Sequence, residues 1–296
     1  MSPAPFPFRY IIRRIICARL RLSITEHPFL YARKFRAVCF MHDTPHARLA
    51  IENAILSALP PVEFEFLVAR MQPVSLATGT IIAHAGDAMR RCYFPSTGMV
   101  SLLSVTEHGK AVEVGYTGFE GVVGLPVILG KNEMPYQALV QAPSDGFSID
   151  SQAVLQLFQR PGVFHDAVLR YAFVVLRQVT QTAACNHFHT IQARLCRWLT
   201  VMCERSGNTH LSLTQEFLAH MLGVQRTSIG MIASSMQADG LINYRRGRVQ
   251  VLDLDGIRDA ACECYFVIRT EHAEYLRDRR FRNVSETRQT QPSPSL

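Results

Sequence analysis

The sequence lacks a Cys-x-x-Cys pair, and it has no run approaching the ~18–20 uncharged apolar residues that a bilayer span requires. Its longest apolar candidate, 92–106, is interrupted by Pro95 and Gly98. No nucleophile elbow, P-loop or dinucleotide fingerprint is present, which argues against the common enzyme chemistries legible in short motifs. Eight cysteines occur, at 17, 39, 92, 185, 196, 203, 262 and 264. Their spacing fits neither a zinc site nor a secreted disulfide framework, so they read as small buried hydrophobes in a reducing cytoplasm, with a redox or metal role as the alternative. No metal and no cofactor is expected on these grounds. At 48% hydrophobic and 19% charged over 296 residues, the composition is that of a soluble two-domain protein.

The net charge of +7 suggests nucleic acid, but its location matters. The first forty residues hold eight basic side chains against Glu26 alone, which equals the whole excess. This segment mixes Pro3, Pro5 and Pro7 with Ile11-Ile-Arg-Arg-Ile-Ile16. A membrane-surface helix, a transit peptide and a misassigned extension ahead of a true start at Met41 are the alternatives, and the last is preferred. A second cluster is more informative: residues 191–250 carry seven arginines and three acids.

Apolar spacing predicts short helices over 53–59 and 61–70. From 74 to 149, glycines and turn pairs separate runs rich in β-branched and aromatic residues, namely 80–82, 92–94, 99–105, 111–116 and 137–141. This is the texture of an antiparallel sandwich or barrel. His108-Gly109 turns one hairpin. Helical periodicity returns with 151–159, where Ser151 is the expected N-cap. A long helix follows over 163–185, with Val168, Tyr171, Val175, Gln178 or Val179, and Thr182 along a seam suited to pairing with a second copy. Packing on its own β-domain is the alternative.

Residues 191–252 read as helix, helix, turn, helix and hairpin. Ser212 or Thr214 caps the second helix, with Gln215 placed to close a capping box on Ser212. Ala219 permits two helices to cross closely, and Gly223 supplies a turn residue tolerant of positive φ. Leu218, Leu222, Val224, Ile229 and Ile232 supply the apolar contacts. Gln225, Arg226, Thr227 and Ser228 then open the next helix facing outward. Arg can pair bidentately with guanine, Gln with adenine, and Ser or Thr with phosphate. Arg246-Gly247 turns a hairpin whose tip places Arg245, Arg246 and Arg248 toward a DNA backbone.

This order resembles the Crp/Fnr family of bacterial regulators over about residues 48–255. Its echoes are Leu213-Thr214, Leu222-Gly223, Arg226-Thr227-Ser228, Asp239-Gly240-Leu241-Ile242 and the Gly247 wing. In the β-domain they are Thr78-Gly79-Thr80, Gly86-Asp87, Phe94 and Ser96-Thr97-Gly98. The resemblance implies an α+β chain with an N-terminal antiparallel β-roll of the cupin or jelly-roll kind, a long dimerisation helix and a C-terminal winged helix-turn-helix. The corresponding boundaries are a basic extension at 1–45, the sensor β-roll at 46–160, the long helix at 161–188, the DNA-binding domain at 189–255, and a C-terminal helix and disordered tail at 256–296. It implies a cytoplasmic homodimer, not an enzyme, on a palindromic double-stranded DNA site. Arg226 is the base-reading arginine. Thr214, Gln225, Thr227, Ser228, Arg245, Arg246 and Arg248 are its neighbours at the DNA. RNA polymerase is a candidate third partner.

The effector pocket departs from the family pattern. Cyclic-nucleotide-binding members carry Gly-Glu for the ribose, then Arg with Ser or Thr for the phosphate. Gly124 fits the glycine, but Leu125 stands in the acid's place, and no Arg occurs between Arg91 and Arg160. A buried phosphate without a cation is costly, so no cyclic-nucleotide binding is expected. Cys17 and Cys39 do not make the family's iron–sulfur cluster, and His84, His108 and Cys92 are only weak haem candidates. A fold-retaining interaction scaffold that does not bind DNA is the alternative function.

Overall fold

The computed structural model describes residues 52–131 and 133–277. The basic extension and the Ser/Pro-rich tail lie outside the described residues. Two short helices come first: α1 (Ala54–Ser57), capped by Asn53, and α2 (Pro61–Val68), with proline at its first position, where no N–H is needed. The β-domain follows with β1 (Met71–Leu76), β2 (Ile81–Ala83), β3 (Arg91–Pro95), β4 (Met99–Val105), β5 (Ala111–Thr117), α3 (Leu125–Ile128), β6 (Gln137–Ala142) and β7 (Ser144–Asp150). Then come α4 (Ser151–Phe158), the 26-residue α5 (Val163–Phe188) and α6 (Ile191–Ser206). The chain continues with β8 (His210–Ser212), α7 (Gln215–Leu222), α8 (Arg226–Ala238), β9 (Ile242–Arg245), β10 (Arg248–Val251), α9 (Leu254–Asp259) and α10 (Cys264–Arg277). No described helix is long and apolar enough to cross a membrane.

The β-domain has two antiparallel sheets, ordered β1-β7-β3 and β2-β6-β4-β5. Tyr93 from the first meets Val100, Leu102, Ala138 and Val140 from the second in the sandwich interior. The other face of the first sheet, with Cys92, Phe94, Phe147 and Ile149, packs on α4 and α5 through Val154, Leu157, Phe164 and Val168. The second sheet turns Met99, Leu103, Tyr116 and Ala142 onto α6 and α7. Both sheets are therefore covered on both sides, and the C-terminal domain shares a core with the strands.

Two strands escape the sequence pattern. β1 contains Pro73, which normally argues against a strand, but β1 is an edge where the missing N–H costs nothing. β7 reads Ser-Asp-Gly-Phe-Ser-Ile-Asp, poor in strand formers. It is central, and Gly146 is needed there because a Cβ would lie 2.2 Å from the Phe94 carbonyl.

Several local expectations are corrected. Asp150, not Ser151, caps α4, accepting from the Gln152 and Ala153 N–H groups. Thr214 caps α7, while Ser212 ends β8, so the capping box with Gln215 does not form. The seam assigned to α5 faces inward. Tyr171, Gln178 and Thr182 are buried within the chain, and the Gln178 Oε1 accepts from the Tyr116 N–H at 2.9 Å. Among the described residues, the exposed apolar stripe is instead Leu169, Phe173 and Leu176, which are 46%, 55% and 61% exposed. The C-terminal helix expected from 255 is two helices, α9 and α10, broken at 260–263. It packs along α5, where Tyr171 and Tyr275 rings lie 6.1 Å apart and Arg177 pairs with Glu271 at 3.4 Å.

Candidate nucleic-acid interface

The reading head is built around one tight turn. The Thr214 hydroxyl accepts from the Phe217 N–H, which starts α7. Gly223 ends it at φ +63°, a conformation that an L side chain adopts only with strain, and the Val224 N–H closes onto the Ala219 carbonyl at 3.0 Å. α8 then leaves with Ile229, Ala233 and Met236 buried. Gly230 lies against the Gln215 side chain, so small residues at 219 and 230 let the two helices approach.

The first turn of α8 presents its polar residues outward. Gln225, Arg226 and Thr227 are exposed and Ser228 is half-buried, while no side chain caps the free N–H groups. That leaves donors and the positive helix end available to an anion. The wing, β9-β10, pairs Arg245 with Arg248 across a two-residue turn. Arg246 and Gly247 both have positive φ, the geometry of a primed hairpin turn. Arg245, Arg246 and Arg248 are exposed at its tip. The Tyr244 hydroxyl donates to the Leu213 carbonyl at 3.0 Å and ties wing to helix. Burial raises the Tyr244 pKa, opposed by the charge of Arg226 at the start of α8. All eight residues expected at DNA thus come from α7, the start of α8 and the wing. Thr214 differs from the rest in that its hydroxyl is committed to capping.

Sequence reasoning missed the contacts that seat this head on the β-domain. The Trp198 indole donates to Glu113 at 3.1 Å, and the Ser101 hydroxyl donates to the same carboxylate at 2.5 Å. Burial raises the Glu113 pKa, opposed by the Ser101 bond, the Arg197 charge and the Trp198 bond. Gln141 donates to the Met221 sulfur at 3.1 Å. A Cβ on Gly223 would lie 3.1 Å from Val112 of β5. Arg205, near the end of α6, pairs with the fully buried Glu120 at 2.7 Å and donates to His272 Nδ1 at 3.1 Å. Burial disfavours the Glu120 charge, but Arg205 and His272 outweigh it and hold the carboxyl below its usual range. Burial pushes the His272 pKa down, opposed by the charge of Glu120. The only sequence signal for this network is the acid within Phe119-Glu120-Gly121.

In the pocket region, Leu125 is buried and a Cβ on Gly121 would lie within 2.3 Å of two ring carbons and the hydroxyl oxygen of Tyr171. The Tyr171 hydroxyl donates to the Thr117 hydroxyl. A separate cleft of about 420 Å³ opens beside Leu76, Ile82, Met89, Arg90, Arg91 and Tyr93. His84 and His108 are exposed, while Cys92 is buried in β3.

Two family models match this chain: the cyclic nucleotide-binding domain over residues 73–161 and the Crp-like helix-turn-helix domain over 193–260, together just over half of it. The CRP-like protein Clp of Xanthomonas euvesicatoria is 25% identical over 217 residues, spanning 68% of this chain and 93% of that protein. The Clp protein of Xanthomonas oryzae is 26% identical over 218 residues, with the same coverage. Among solved structures, a Crp/Fnr-family transcriptional regulator from Eubacterium rectale shares the fold at TM-score 0.59 and 16% identity, covering 70% of this chain and 96% of its own. The Xanthomonas campestris regulator CLP, described as c-di-GMP responsive, superposes at TM-score 0.55 and 20% identity, covering 66% and 100%. A β-domain of this topology, a winged helix-turn-helix seated on it, and both domain matches make this chain a member of the Crp/Fnr family of DNA-binding transcription regulators.

Proposed function

We propose that the protein acts as a homodimer that reads a palindromic DNA site, with Arg226 pairing to a base and Gln225, Thr227 and Ser228 beside it. The observation that carries this reading is the uncapped, exposed start of α8 beside the arginine wing. Such a helix end in a major groove offers one bidentate arginine contact and several phosphate donors. Arg245, Arg246 and Arg248 hold the flanking backbone. Two copies join along Leu169, Phe173 and Leu176, since an apolar stripe of this kind on a 26-residue helix is suited to a parallel partner. Two-fold symmetry then dictates two inverted half-sites.

The signal is not a cyclic mononucleotide held in the family manner. Leu125 supplies no acid for a ribose, the segment lacks an arginine for a phosphate, and the Tyr171 ring occupies the space in front of Gly121. Calorimetry with cyclic AMP and cyclic GMP is expected to show no binding, and a low-micromolar affinity would overturn the point. The Xanthomonas campestris neighbour makes c-di-GMP a further compound for the same titration.

Sequencing of DNA selected by the purified protein tests the reading as a whole. The expected outcome is a two-fold-symmetric motif. Arg226→Ala should weaken binding by ~1–3 kcal/mol and relax preference at one position of each half-site. A scaffold function predicts no motif and no effect of the substitution.

A further inference from the structure

Three of the cysteines scattered along the sequence are neighbours in space. Cys185 lies in the last turn of α5, and His189 follows that helix directly. Cys262 and Cys264 flank the start of α10. The break between α9 and α10 folds the second pair onto the first. The three sulfurs and one ring nitrogen of His189 then lie within 4.8 Å of one another. The Cys185 and Cys262 sulfurs are 3.5 Å apart, and the Cys264 sulfur is 3.4 Å from His189 Nδ1.

These spacings can be compared with a known chemistry. Zn–S bonds of about 2.3 Å and Zn–N bonds of about 2.0 Å at tetrahedral angles place ligand sulfurs about 3.8 Å apart, and sulfur and nitrogen about 3.5 Å apart. The Cys185–Cys262 and Cys264–His189 separations fall within about 0.3 Å of these values, and all four donor atoms lie within 4.8 Å of one another. They close around a single ion and leave no room for a multi-iron cluster. An ordinary apolar cluster is a poorer description. Ala193 is the apolar side chain that packs here, and the sulfurs otherwise meet polar atoms. Gln181 Nε2 donates to the Cys264 sulfur at 3.0 Å, a bond that favours a thiolate. The remaining ring nitrogen of His189 lies 2.9 Å from the Glu263 carboxylate. That contact fixes Nδ1 as the free lone pair, the arrangement by which carboxylates orient metal-bound histidines.

We propose that Cys185, His189, Cys262 and Cys264 form a closed tetrahedral site for one zinc-class ion, which pins the end of α5 to the start of α10. The site sits at the joint where α5 hands over to α6, the first helix of the DNA-binding domain. Four protein ligands leave no open position, so the ion is structural: it binds the three thiols as thiolates and releases their protons. The proposal goes beyond the DNA-reading assignment and is tested without DNA.

The experiment is elemental analysis of the full-length protein, purified under reducing conditions from zinc-supplemented cells. About one zinc per chain is expected, by the stoichiometry of a four-ligand site. After chelation, titration with Co²⁺ should give the thiolate charge-transfer and d–d absorption of a tetrahedral cobalt–thiolate centre. Chelation should lower the Tm, and zinc should restore it. Cys264→Ser should lose stoichiometric metal, whereas Cys196→Ser, a buried cysteine elsewhere, should keep it. Glu263→Ala retains every ligand, so it should fold with unchanged circular dichroism yet bind Co²⁺ about 10–100-fold more weakly. Three results would overturn the site: substoichiometric zinc after reconstitution, full zinc retention in Cys264→Ser, or a metal-free Cys185–Cys262 disulfide under the same conditions.

Discussion

Arg246 is the non-glycine residue with positive φ among the described residues, at +50°. The wing turn demands that conformation at both central positions, and Gly247 meets it freely while Arg246 does not. The left-handed region costs an L residue ~1–2 kcal/mol, and glycine gives back ~0.5–1 kcal/mol through its looser unfolded chain. Arg246→Gly should therefore alter stability by no more than about 1 kcal/mol while removing one cation from the DNA face. DNA affinity should fall similarly on all sequences, with the salt dependence shallower by about one counterion. Binding measured across a salt series checks this, and a sequence-selective loss would contradict it. Gly223 is a stricter position. Its φ of +63° and its distance from Val112 penalise any side chain, so Gly223→Ala should destabilise by more than about 1 kcal/mol in a thermal melt. The turn itself was readable from Leu222-Gly223-Val224. The nearness of Val112, over a hundred positions earlier, was not, because no local pattern encodes which strand a turn will rest on.

At the scale of elements, α5 shows where periodicity stops informing. The 3.6-residue repeat gives a long helix without difficulty, and residues 163–188 form one. It does not say which apolar stripe meets which neighbour. Tyr171 and Gln178 are taken by the chain's own β-domain, and α10 covers another side through Glu271 and Cys264. Among the described residues of α5, the large apolar side chains left exposed are Leu169, Phe173 and Leu176, with Phe188 at its end. A charge at the centre of that stripe should oppose association without disturbing the fold, since Phe173 is 55% exposed. Phe173→Asp is expected to convert a dimer to a monomer in light scattering, with the circular dichroism preserved. A wild-type protein that is already monomeric would refute the assigned face. The same limit explains the cysteines. Spacing along the chain excluded a metal motif, but Cys185-x-x-x-His189 and Cys262-x-Cys264 were each half of a pattern that only the α9–α10 break brings together.

For the whole molecule, the seating of the DNA-binding domain on the second sheet is the organising contact. The Glu120–Arg205 pair is its most demanding part, because Glu120 is fully buried. Removing one partner leaves an uncompensated charge, so Arg205→Ala should cost about 3–5 kcal/mol in a denaturant melt, where loss of a surface pair would cost under ~1. The same network sets an acid limit. His272, facing Glu120, Arg205 and the Tyr116 ring, has a folded pKa depressed by burial. As pH falls past about 6.5 the unfolded chain takes up that proton first, so stability present above this pH is lost below it. Glu120, depressed by Arg205, adds a second loss below the ordinary carboxylate range near 4.3. The Tm should thus fall from about pH 6.5 downward and more steeply below about pH 4. His272→Gln should flatten the upper part of that curve, and an unchanged profile would remove His272 from the account.

The sequence by itself determined the parts whose signals are local. A hairpin at His108-Gly109, a long helix without glycine or proline, a helix-turn-helix fixed by Ala219 and Gly223, and an arginine wing all follow from period, turn chemistry and charge within a few residues. Tertiary structure decided what depends on distant partners. Strands β1 and β7 exist because an edge tolerates Pro73 and a close neighbour requires Gly146. The buried acids Glu113 and Glu120 are stable because Trp198 and Arg205 arrive from another domain. Three of the cysteines that composition assigns to the core meet around one histidine because two helices break where they do. Burial and pairing over long sequence separations carry no periodicity, and so they appear only when the chain has closed on itself.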